Sequence, residues 1–152
     1  MRPGRRSGRG IACNVYHGRT MLAHVAEVSV GDAGDVQVHR VVCAADCGLV
    51  VNPLGLEGQI ESGITWGLSY ALKGEVTIQR GRVEQTSYRD YPLASIAEVP
   101  QIEVHRIAGG TKPTGFGEMP VPPLAPAVAN AIFQATGKRV RRLPIRASDL
   151  AS

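Results

Sequence analysis

The chain has 152 residues, enough for one domain with a sizeable core, and its 43% hydrophobic and 20% charged residues exclude disorder throughout. Its formal charge of +4 sits in two clusters, Arg2, Arg5, Arg6 and Arg9 at one end and Lys138, Arg139, Arg141, Arg142 and Arg146 at the other. Neither cluster carries interleaved aromatics or a nucleic-acid motif, so no nucleic-acid partner is expected, and the clusters read as solvated or as a contact with another chain.

No apolar run approaches the roughly twenty residues of a membrane span. No apolar stretch follows the basic start, so no signal peptide is readable, and the compartment, cytoplasmic or periplasmic, is left open. Cys13, Cys43 and Cys47 are odd in number and form no Cys-x-x-Cys pair, which suggests neither a disulfide framework nor a zinc site. Cys43 and Cys47 fall on one face of a strand-like run and read as small buried hydrophobes. His17, His24, His39 and His105 show no metal-pair spacing, and no metal-ligand cluster is visible.

In chain order, residues 1–10 are rich in Arg, Gly, Ser and Pro and are expected to form a flexible basic arm, ahead of a folded region at 11–146 and a tail at 147–152. Strand-like patterns run over 11–16, 21–30 and 36–45, the last two joined by the turn Gly31-Asp32-Ala33-Gly34-Asp35. Asn52-Pro53 marks a turn. The period then becomes helical over 54–72, with Ile60, Ile64, Gly67, Leu68 and Ala71 on one stripe. Gly63 and Gly67 stand four apart on that helix, where each glycine costs on the order of 1 kcal/mol against alanine, so something is expected to pack closely there. Gln59 and Glu61 are placed near the helix start, where unpaired N–H groups favour an anionic neighbour. A hairpin is expected at 75–79 and 83–86, an irregular stretch at 88–100, a strand at 101–107, a helix from Ala125 to Gly137 and a last strand at 139–145. The class is α+β: β-hairpins and short strands packed with two main helices.

One loop stands apart, Thr114-Gly115-Phe116-Gly117-Glu118-Met119-Pro120. Its glycines permit unusual backbone angles or close approach of a ligand, and Pro120, Pro122, Pro123 and Pro126 stiffen the chain beyond it. Glu118 is the only ionisable side chain between Thr114 and Gln134. Buried, it would be desolvated and become a candidate general base; at a solvated loop tip it would be an ordinary surface residue.

Four motifs occur in order: Asp46-Cys47-Gly48 with Val51-Asn52-Pro53; Gly58-Gln59-Ile60-Glu61-Ser62-Gly63 with Trp66-Gly67-Leu68; Gly115-Phe116-Gly117-Glu118; and Ala125-Pro126-Ala127-Val128-Ala129-Asn130-Ala131. Together they resemble the C-terminal part of the molybdopterin-binding large subunit of the xanthine dehydrogenase/aldehyde oxidase family, in its isoquinoline 1-oxidoreductase-like and aldehyde dehydrogenase-like branch. The resemblance implies hydroxylation of an aldehyde or N-heterocycle with water as the oxygen source, a molybdenum–molybdopterin cofactor, with the cytosine dinucleotide as one form, and iron–sulfur clusters on a partner subunit. It implies that Glu118 is the general base, that Gln59 contacts the pterin and that the Gly117 amide faces the site. The family's large subunit is several times longer, so the remaining polypeptide and an iron–sulfur subunit are the expected partners, and the chain alone is expected to be inactive. The alternative is a catalytically inactive, truncated interaction domain that docks to a partner chain.

Overall fold

The computed structural model describes residues 4–17 and 19–151. Three long strands follow one another antiparallel: β1 (Arg5–Tyr16), β2 (Thr20–Gly31) and β3 (Val36–Asp46). A later strand, β6 (Gln101–Arg106), lies parallel to β3, giving the order β1-β2-β3-β6. Parallel pairing needs a crossover. It is made by helix α1 (Pro53–Leu72), the small hairpin of β4 (Ile78–Gln79) with β5 (Arg82–Val83), and an irregular run to Pro100. Helix α2 (Leu124–Thr136) comes after β6 and ends at Gly137, whose φ of 74° closes the helix in the left-handed region.

The two helices lie on one face of the sheet. Their buried stripes, Ile60, Ile64 and Leu68 on α1 and Leu124, Ala127, Val128, Ala131 and Ile132 on α2, meet Leu22, Ala26, Val28, Val38, Val41, Cys43 and Ala45 of the strands in one core. A β-bulge interrupts the β2–β3 ladder: Glu27 faces Arg40 while Val28 faces Val38, so His39 is the extra residue. Its Nε2 lies 2.7 Å from Ser29 Oγ.

Three expectations need correction. The stretch 1–10 is not a flexible arm where it is described, because β1 already begins at Arg5. Its small residues serve packing: a Cβ at Gly8 would stand 2.2 Å from the Ala131 carbonyl oxygen, and one at Gly10 2.2 Å from that of Ala127. The Arg/Gly composition that suggested disorder instead lets α2 lie directly on the strand. Met1, Arg2 and Pro3 lie outside the described residues.

The strand expected at 139–145 does not form. Pro144 offers no N–H for a ladder, and Ile145 donates its own to the Ala71 carbonyl at the end of α1, 2.7 Å away. Arg139 meanwhile stacks its guanidinium 3.4 Å from the centre of the Phe133 ring. The stretch 147–151 is not a loose tail either, since Ala147–Asp149 forms a 3-10 turn, Leu150 is buried and Lys138 Nζ donates to the Leu150 carbonyl at 3.2 Å. Ser152 lies outside the described residues.

Candidate functional site

The Glu118 loop is fixed first at its leading foot. Beyond β3, Asp46 Oδ1 accepts the Gly48 N–H at 2.9 Å, which turns the chain. Gly48 has φ 69°, and a Cβ there would stand 2.1 Å from the Lys112 carbonyl oxygen, so only glycine fits. The turn accepts the loop's backbone: Thr114 N–H donates to the Cys47 carbonyl at 2.9 Å, and Leu49 N–H to that of Lys112 at 3.3 Å. Thr20, at the start of β2 and buried, closes the clamp. Its Oγ1 lies 2.7 Å from Thr114 Oγ1 and 2.8 Å from the Gly115 carbonyl oxygen.

The trailing foot rests on α1. A Cβ at Gly63 would lie 2.7 Å from Pro120 Cβ, and one at Gly67 3.0 Å from Leu124 Cβ, so the two helix glycines exist to admit this loop and the start of α2. Phe116, Met119 and Pro120 are buried, and Val121 N–H donates to the Glu118 carbonyl at 3.0 Å. Loop and helix run side by side in the same direction, Gly63 against Pro120 and one turn later Gly67 against Leu124. Gln59, one turn before Gly63, therefore lies toward the Glu118 end of the contact.

Between these feet, Gly115, Gly117 and Glu118 are not enclosed in the manner of Phe116 and Met119, and Glu118 itself is exposed. Of the two readings open for Glu118, the chain by itself shows the exposed one: its neighbours Phe116 and Met119 turn inward and leave the carboxylate outward. Neither glycine has a positive φ, and a Cβ on either would meet nothing within 4 Å. The same holds for Gly58 beside Gln59 on the exposed side of α1. Among the described residues these three glycines are required neither by backbone strain nor by packing, and they leave open space beside Gln59 and Glu118.

Gln59 also needs correction as a helix-start residue. The helix begins at Pro53 with Asn52 as its cap, whose Oδ1 accepts the Gly55 N–H at 3.1 Å while its carbonyl accepts that of Leu56 at 3.0 Å. Gln59 and Glu61 stand in the second and third turns, beyond the free N–H groups, and both side chains are exposed.

The side chains of the buried cysteines and of His24 take no part in the exposed site. Burial pushes the Cys43 thiol up to about 12, and burial with the Asp46 carboxylate raises that of Cys47, so both stay protonated. His24, opposite Cys43 in the ladder and fully buried with neither ring nitrogen partnered, is pushed down to about 4 by desolvation. Among the described residues no group of three His, Cys, Asp or Glu side chains converges on a metal-sized site. One contributor carries no signal in the sequence, Thr20, whose role depends on a contact 94 residues away.

Residues 7–100 match the family model of a molybdopterin cofactor-binding domain. The beta subunit of isoquinoline 1-oxidoreductase from Brevundimonas diminuta is 34% identical over 144 residues, 92% of this chain and 18% of the relative. A nicotinate dehydrogenase subunit of Pseudomonas putida is 38% identical over 149 residues, 92% of this chain and 13% of the relative. Among solved structures, the aldehyde oxidoreductase from Desulfovibrio desulfuricans superposes with a TM-score of 0.76 at 30% identity, covering 87% of this chain and 15% of the other. The chain spans less than a fifth of each of these proteins. A shared fold of mixed strands and two helices, the matched domain and relatives at 34% and 38% identity agree, and the chain belongs to the molybdopterin cofactor-binding domain family.

Proposed function

We propose that this chain forms one wall of the molybdopterin site of a molybdenum hydroxylase that oxidises an aldehyde or N-heterocycle with water as the oxygen source, and that Glu118 is its general base. The observation that carries the reading is the Glu118 loop itself. A lone carboxylate stands on a turn clamped at both feet, beside glycines that nothing among the described residues requires. Such rigidity without internal need suits a group positioned for a ligand.

The residues fit the cofactor in kind. Gln59 offers an amide to the pterin, Gly117 an N–H to the site, and the open glycines let a flat ring system approach the backbone. The bound cofactor supplies the oxidation and an activated water. Glu118 then takes the proton from that water through a carboxylate oxygen as it attacks the electron-poor carbon, and the stiff loop holds the oxygen in reach. Desolvation of Glu118 comes from the cofactor and from the remaining subunit polypeptide, since this chain leaves it exposed. The bound cofactor, of which the cytosine dinucleotide is one form, would hand its electrons to iron–sulfur clusters on a partner subunit. The relatives named for isoquinoline, nicotinate and aldehyde oxidation support this substrate class.

The test is Glu118→Gln in the complete enzyme, which keeps the side-chain shape and removes the base. Turnover should fall about 10²–10⁴-fold with molybdenum content unchanged. Near-normal turnover would overturn the assignment.

A further inference from the structure

The β1–β2 hairpin ends beside the leading foot of the Glu118 loop. Tyr16 stands opposite Thr20 in the ladder, and directly opposite residues share a face of the sheet. The Tyr16 ring therefore lies on the side where the Thr20 hydroxyl holds Thr114 and Gly115. Between hairpin and loop opens a cavity of about 540 Å³, lined by Tyr16, His17 and Arg19 on one side and by Thr114 and Gly115 on the other. Its size suits a small-molecule site.

The lining is chemically one-sided. Arg19 is exposed, and no carboxylate lines the space. Among the described residues the Arg19 guanidinium forms no ion pair and no side-chain hydrogen bond. His17 has a φ of 48°, a left-handed backbone that costs a residue other than glycine on the order of 1 kcal/mol. The turn holds it there: Arg19 N–H donates to the Tyr16 carbonyl at 3.0 Å, and the imidazole packs edge-on to the Tyr16 ring with centroids 4.1 Å apart. Strained residues of this kind gather at ligand clamps.

We propose that this cavity is a specificity subsite for substrates that carry a carboxylate on an aromatic ring. Arg19 pairs with the carboxylate, the imidazole of His17 offers it a second donor, and the Tyr16 ring lies against the ring of the substrate. Glu118 follows Gly115 by three residues, at most about 11 Å of extended chain, so a molecule anchored at Arg19 reaches the loop's carboxylate with its other end. The inference narrows the substrate class given above and rests on that reading.

Benzoate and benzamide share a ring and a shape and differ in charge. Neither carries the aldehyde or ring nitrogen at which oxidation is directed, so their binding to the complete enzyme reads the subsite alone. Calorimetric titration should show benzoate bound about tenfold more tightly than benzamide. Arg19→Gln should bring the two affinities within about twofold of each other with molybdenum content unchanged. Arg19→Lys should keep part of the preference, because the charge stays and the bidentate fork goes. Lys112→Gln removes an exposed positive charge next to the lining but not within it, and should leave the preference in place. Equal affinities in the wild type, a preference that survives Arg19→Gln, or one that Lys112→Gln removes as well overturns the proposal. Molybdenum loss with Arg19→Gln also overturns it and assigns the cation to a phosphate of the cofactor. Glu118→Gln should keep the benzoate preference whatever it does to turnover, so failure of the base assignment and failure of the subsite are read separately.

Discussion

The feet of the Glu118 loop and its rim are built differently. At the feet every small residue answers to a neighbour: Gly48 to the Lys112 carbonyl, Gly63 to Pro120, Gly67 to Leu124, with Thr20 bonding the loop twice. At the rim Gly115 and Gly117, and Gly58 on α1, answer to nothing among the described residues. The feet are what this chain needs to fold; the rim is what something else needs in order to approach. Substitutions should separate the two, feet acting on stability and rim acting on cofactor and assembly.

The sharpest break is Gly48→Ala, which forces a positive φ on a side chain and a collision with fixed backbone. It should destabilise the chain by about 3 kcal/mol or more in urea unfolding. The core behind the feet brings a pH dependence of similar size. His24 has a pKa of about 4 when folded against 6.5 unperturbed, so the unfolded chain binds more protons in that window. Stability should therefore fall as pH drops from about 6.5 toward 4, by about 3 kcal/mol in total, and His24→Leu should flatten the slope. A wild-type unfolding midpoint that stays level across those values would refute this.

Thr20→Val comes next. It strips two hydrogen bonds from the loop and leaves the Gly115 carbonyl unpaired, at about 1–3 kcal/mol. In the complete enzyme it should lower kcat more than it raises KM, and Thr20→Ser should restore much of the loss. At the rim, Gly58→Ala should stabilise the isolated chain by about 1 kcal/mol through helix propensity alone. Gly117→Ala should move its stability by less than about 0.5 kcal/mol while lowering the molybdenum retained by the complete enzyme. A large fall in the isolated chain's stability with Gly117→Ala would erase the distinction between feet and rim.

Much of the framework was legible because its signals are local. The alternation along β2 and β3, the stripe from Ile60 to Ala71 and the Gly137 stop each lie within a few residues, and the structure keeps them. The failures are non-local. Gly8 and Gly10 looked like disorder because the helix that needs them is more than a hundred residues away, and Ile145 bonded to Ala71 instead of joining a sheet. The parallel arrival of β6 has no sequence signal of its own. For the site, the Glu118 loop was visible as a composition anomaly, while the choice between a buried and a solvated carboxylate was not. Burial of that carboxylate depends on what covers the rim, and no periodicity in these residues encodes the cover.

The most direct test of a shared molybdopterin site is the molybdenum content of the protein isolated under mild conditions from its source, together with the chains that accompany it. About one molybdenum per chain is expected, with further molybdopterin-binding polypeptide and an iron–sulfur subunit present. Protein without molybdenum and without companions would contradict that site and leave the exposed rim of the Glu118 loop with no partner to face.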